Sequence, residues 1–140
     1  MMAEVIARLT AEVPALASVA GAVEFAALDG NPPVHLRPAA YVLPSRETAE
    51  ANRRVGAHSQ RVTEEFTVAL ALGNLSDARG DAAARELETL MAATRAALAG
   101  WIADADHTAV DYVRGQLLGL RDRVVWWGQT FRTARNEYLP

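Results

Sequence analysis

The chain contains no cysteine and no lysine. The first absence excludes disulfide frameworks, thiolate metal sites and cysteine nucleophiles, so the fold must stand on packing. The second leaves all 14 bases as arginine. That choice suits protein interfaces, where arginine is favoured and lysine depleted, although codon bias in a GC-rich genome is the simpler source of it. No apolar run approaches membrane-spanning length, and Met1-Met2-Ala3-Glu4-Val5-Ile6 lacks a positive segment followed by an apolar one. The expectation is a soluble protein used without secretion and without a membrane partner. Charge of either sign is scattered: 17 acids against 14 bases leave −3. Without a basic excess, free nucleic acid is a poor partner, because phosphate neutralisation supplies most of such affinity. Dinucleotide, phosphate-loop and GxSxG elements are also missing.

What is there is a globular balance. Apolar residues make up 51% and charged residues 22% of 140 positions, a modal size for one domain spanning residues 1–140. Val5, Ile6, Leu9 and Val13 fall at helical spacing, which predicts an amphipathic helix over residues 2–12 stopped by Pro14. A short strand within residues 15–20 and a helical turn over Val23–Leu28 follow, ended by Asp29-Gly30. Ala39–Leu43 lies between Pro38 and Pro44 and reads as a buried or edge strand. Ser45–Ser59 holds Val55 as its one large aliphatic residue, a composition that predicts a mobile loop.

The clearest alternation runs from Gln60 to Leu72. Val62, Phe66, Val68, Leu70 and Leu72 share one face, with Glu64 breaking it. A principal helix follows over about residues 80–99, with Ser76, Asp77 or Asp81 as its cap and Gly100 at its end. The remainder reads as a hairpin: Tyr112–Leu120, a turn at Arg121-Asp122-Arg123, then Val124 to about Phe131 or beyond. On a regular strand Trp126 and Trp127 point to opposite faces, so one completes the core and the other needs a different partner. The fold class is α+β, a small antiparallel or mixed sheet with helices packed on one face.

The chain offers little chemistry. His35, His58 and His107 are far apart, and the DADH stretch ending at His107 lacks a further ligand, so no metal or cofactor is expected. Glu64-Glu65 diverge on a strand, and Glu86 and Glu88 diverge on a helix, so neither pair forms an acid/base couple locally. An enzyme reading requires two or more of Glu64, Asp111, His35 and His107 to meet in one closed pocket. The arginines instead suggest contacts. Arg46, Arg53 and Arg54 lie in the expected loop, and Arg61, Arg132 and Trp127 lie on strands; these are the candidate subunit-interface residues, with no catalytic residue among them.

The start MAEVIARL-TAEVPAL, the run PAAYVLP, the strand QRVTEEFTVALAL followed by N-LSDARGD, then AALAGW and VVWWGQTF appear in a suggestive order. Together they resemble the tail terminator proteins of long-tailed bacteriophages, over residues 2 to about 138. The resemblance implies a structural virion protein without enzyme activity. It implies a hexameric ring of copies of the chain at the neck, capping the head-proximal end of the tail tube and receiving head-completion or connector proteins. Genomic DNA would pass through the ring without sequence-specific binding. A head-tail stopper or a tail tube subunit is the rival structural reading. The family has no fixed ligand motif, so the resemblance transfers no site residue.

Overall fold

The computed structural model describes residues 1–73 and 81–139. In chain order the elements are α1 (Met2–Glu12), β1 (Ser18–Ala20), α2 (Ala22–Ala26), a 3₁₀ turn (Val34–Leu36), β2 (Ala39–Ala49), β3 (His58–Leu72), α3 (Asp81–Leu98), β4 (Asp111–Arg121) and β5 (Val124–Leu139). The five strands form one mixed sheet in the order β1-β2-β3-β5-β4. Only the β1–β2 pair is parallel. The fold is therefore the expected α+β class.

The α1 helix forms where Val5 and Leu9 recur on one buried face, and it ends at Val13, whose N–H reaches Leu9 O at 2.9 Å just before Pro14. Leu90, Thr94, Ala97 and Leu98 are the buried stripe of α3. Gly100 follows it at φ 82°, a left-handed conformation that a glycine adopts without steric cost. The expected caps Ser76 and Asp77 lie outside the described residues.

These two helices pack on one face of the sheet, over Ala40 and Val42 of β2, Phe66, Val68, Leu70 and Leu72 of β3, and Phe131 of β5. The aliphatic face read from alternation is thus the main core. On the other face Ala39, Ala69 and Ala71 are small enough for Tyr41 and Trp126 to stack, with centroids 5.9 Å apart. The short α2 covers that pair through Phe25, 5.5 Å from Tyr41 and 5.9 Å from Trp126. Trp127, paired with Leu70, packs against the helix-side core instead. The tryptophans do point to opposite faces, and each finds partners within the chain.

The structure corrects the loop expected over Ser45–Ser59. Strand β2 continues through Ala49 and β3 already begins at His58. Backbone pairing continues from Arg46↔Glu65 to Ala49↔Val62, and β5 pairs with the far side of β3 as far as His58↔Leu139. In this stretch β3 is held by neighbours on both sides and β2 by β3 alone, and this pairing forms strands without large apolar side chains, so a count of aliphatic residues misses them. The connection that remains is closed by Asn52, whose amide donates to Arg54 O and Ala57 O and whose Oδ1 accepts from the N–H groups of Arg54 and Ser59. The result is a three-stranded arm, formed by the β2–β3 hairpin and the last part of β5.

Candidate functional site

The arm carries most of the arginines singled out in the sequence. Arg46 lies 3.8 Å from Glu65 across the β2–β3 pair, and Arg53 lies 2.8 Å from Glu50. Their side chains are 71% and 79% exposed, so both are solvent-screened pairs that a partner can exchange at little cost. The Arg54 guanidinium stacks over Tyr138, 5.1 Å from the ring centroid, tying the hairpin tip to the end of β5. Arg61 and Arg132 are exposed and flank a small cleft with Thr63, Thr108, Asp111 and Thr133. Arg46, Arg61 and Arg132 thus share the sheet face away from α1 and α3, since Glu65 is the cross-strand neighbour of both Arg46 and Arg132 and Arg61 lies four residues before it on β3, an even spacing. Trp127 lies apart from them: it faces the core, and its buried Nε1 makes no hydrogen bond among the described residues.

At the root of the arm the break that Glu64 makes in the apolar face acquires a reason. Glu64 Oε1 accepts from Arg135 at 2.6 Å, and its Oε2 lies 3.3 Å from His107 Nε2. His107 Nδ1 donates to Asp104 Oδ1 at 2.7 Å, and the same carboxylate oxygen accepts from the N–H groups of Asp106 and His107. Acidic and basic side chains therefore alternate across three segments of the chain. Asp104 is held below the usual carboxylate range, chiefly by the hydrogen bond from His107.

A group whose pKa is lowered on folding stabilises the fold above its unfolded pKa, and that contribution disappears as pH falls through the folded value. Wild type is thus expected to melt above Asp104→Asn at neutral pH, with the gap closing as the solution is acidified below about pH 4. Paired thermal melts from pH 7 to pH 3 test this; a gap that ignores pH would contradict the assignment.

Of the four groups that an enzyme reading needed, the fold unites Glu64 and His107. Asp111 sits beside Arg132 on the opposite face of the sheet, and His35 is exposed in the 3₁₀ turn. The groove that borders Glu64, about 330 Å³, is lined by Met1, Met2, Pro44, Ser45, Arg46, Glu47 and Glu65 and does not include His107. The Glu64 cluster is a brace for the arm.

A larger groove of about 520 Å³ opens between α2 and the β4–β5 hairpin, with Phe25, Leu28, Leu118, Leu120 and Trp126 in its wall. Asn31 holds the two sides together: its amide donates to Arg121 O at 2.7 Å, and its Oδ1 accepts from Trp126 Nε1 at 2.8 Å. Sequence reading missed this region. Its signal was the run Leu117-Leu118-Gly119-Leu120, more apolar than an exposed strand needs.

An exposed arm and apolar side chains left open to solvent define a small α+β subunit shaped for contact with other protein. The particular family follows from comparison: residues 2–137 match the model of the phage tail terminator protein family, and the chain belongs to it. Its fold is similar to a chain in the virion of a native gene transfer agent particle, at 19% identity and a TM-score of 0.61, covering 98% of this chain and 95% of that one. No curated protein matches the sequence. The protein is accordingly a structural component of a phage tail.

Proposed function

We propose that the protein assembles as a hexameric ring at the head-proximal end of the tail tube. There it stops tube polymerisation and offers its other side to the head-completion or connector protein at the neck. Genomic DNA passes through the central opening without sequence-specific contacts, and the protein acts without catalysis or cofactor.

The observation that carries this reading is the arm. Its three strands carry Arg46, Arg61 and Arg132, the β2–β3 connection carries Arg53 and Arg54, and the ion pairs of Arg46 and Arg53 are exposed ones. A subunit that joins a neighbour and a tube needs cations free to pair with the partner's acids, and bidentate arginine suits that task. Family membership supplies the context.

Deletion of the gene is expected to leave filled heads beside tails of irregular or excessive length, scored by electron microscopy of lysates. Tails of normal length would refute the reading. The purified protein is expected to form rings that neither extend nor stack; tubes would mark it as a tube subunit instead.

A further inference from the structure

Most arginines of the arm already have a partner within the chain. Arg46 pairs with Glu65, Arg53 with Glu50 and Arg135 with Glu64, and Arg54 stacks over Tyr138. Arg61 and Arg132 are exposed, and their side chains make no ion pair or ring contact among the described residues. Both rim the same cleft. We infer that this cleft seats a single carboxylate, presented by an acidic side chain of another protein of the tail. This rests on the tail reading above and names the chemistry of one contact.

Cross-strand register builds the cleft. Thr63 of β3 pairs with Ala134 of β5, and Thr108 lies on the far side of Ala134, whose O accepts from the Thr108 N–H at 2.8 Å. Ala134 therefore separates two threonines, and its methyl group is too short to fill the space, so a depression of about 80 Å³ remains. Arg61 lies two residues before Thr63, and Arg132 two before Ala134. Alternation puts both on the face of the cleft, and because the strands are antiparallel they stand at opposite ends of it. Thr108 is held firmly: its carbonyl accepts from the Thr133 hydroxyl at 2.8 Å, and its Oγ1 accepts from the Ala134 N–H at 3.0 Å. The hydroxyl hydrogen of Thr108 and the whole hydroxyl of Thr63 have no partner among the described residues. Two guanidinium groups and two hydroxyl donors thus converge with nothing yet to bind.

Charge decides which anion fits. Two arginines against Asp111, the acid in the cleft wall, leave one net positive charge, which a monoanion matches. Along the neighbouring row of the sheet Arg46, Glu65, Arg132 and Asp111 alternate in sign. No basic stripe is therefore offered to a phosphate chain, whose binding depends on neutralising several charges at once. A planar carboxylate accepts paired N–H bonds from a guanidinium and a hydroxyl bond besides. The acid is assigned to a different protein because a tail component has to meet other tail proteins, whereas contact between copies rests on the ring alone.

The test titrates the full, isotopically labelled chain with a blocked tripeptide carrying one central glutamate, followed by nuclear magnetic resonance. The amide signals of Thr63, Thr108 and Ala134 are expected to move saturably, with a dissociation constant in the millimolar range, and the glutamine form of the peptide is expected to move none. Arg61→Gln and Arg132→Gln should each weaken binding about tenfold, through loss of a charge-assisted hydrogen bond. Thr63→Val should weaken it less, and Arg85→Gln, exposed on α3, should leave it unchanged. Shifts that never saturate, or equal binding by wild type and both arginine variants, would overturn the inference. Tighter binding of inorganic phosphate or of a DNA duplex would overturn the carboxylate assignment. Light scattering of the Arg61→Gln, Arg132→Gln double variant is expected to give the wild-type mass; lost self-association would move the acid to a second copy and overturn its assignment to another protein. None of these measurements depends on tail length, so the carboxylate site and the tail reading stand or fall separately.

Discussion

Replacing Phe131 with alanine is expected to cost about 3–5 kcal/mol of folding stability. Phe131 is fully buried in β5, a central strand, with Phe66 stacked at 5.6 Å on one side and Tyr112 edge-on at 5.4 Å on the other. The ring sits below α1 and α3, so no water replaces it and the neighbours close only part of the gap. A domain of this size has about 5–15 kcal/mol in all. The loss is then about a fifth of the total or more, and the melting temperature falls by on the order of 10 °C or more. Phe131→Leu, which keeps most of the volume, should cost roughly 1–2 kcal/mol. Urea titrations of the three proteins measure the series. An alanine variant within about 1 kcal/mol of wild type would mean that this site repacks freely, contrary to the two-sided aromatic packing described.

The second large effect is expected at Glu64. Its carboxylate joins Arg135 at 2.6 Å and His107 at 3.3 Å; His107 also bonds Asp104, and Arg135 has a looser contact with Glu137 at 3.7 Å. The side chains of Glu64 and Arg135 are 20% and 22% exposed. Removal strands Arg135 at a largely desolvated position, a penalty of about 3–5 kcal/mol for a fully buried pair and roughly 1–3 kcal/mol at this partial exposure. Glu64→Ala should therefore destabilise by about 1–3 kcal/mol, and Glu64→Gln by less, because the amide oxygen still accepts from Arg135. Hydrogen exchange supplies the spatial part of the prediction: amides of β2, β3 and β5 in the arm should lose more protection than those beneath α1 and α3. Uniform loss across the sheet would show that Glu64 does not brace the arm.

Glu64 also marks the boundary between what periodicity reveals and what it hides. Alternation from Gln60 to Leu72 identified β3 and its buried face because period-two burial leaves a local record. Glu64 registered as a defect in that pattern. Its partners Arg135 and Asp104–His107 are remote along the chain, and nothing local to residue 64 indicates them. The arm was lost for a related reason. Residues 45–49 have no apolar face to bury, and their strand structure is supplied by backbone pairing with β3.

The tryptophan pair divides in the same way. Strand geometry alone sends Trp126 and Trp127 to opposite faces. That Phe25, Tyr41 and Asn31 would collect around Trp126 depends on α2 crossing a sheet surface kept flat by Ala39, Ala69 and Ala71. Of the arginines named from sequence, Arg46, Arg61 and Arg132 come to share a face through cross-strand register, a relation between strands and not a property of any one of them.

By itself, then, the sequence determined the α+β class, the positions of α1, α3 and β3, the main apolar face, and the order of motifs that resembles the tail terminators. All of these rest on local propensity, on burial that repeats with a fixed period, or on motif order. The tertiary structure decided the arm, the Asp104–His107–Glu64–Arg135 brace, the second aromatic cluster and the apolar groove between α2 and the β4–β5 hairpin. Those depend on which strands become neighbours, and strand order is set by contacts between residues tens of positions apart.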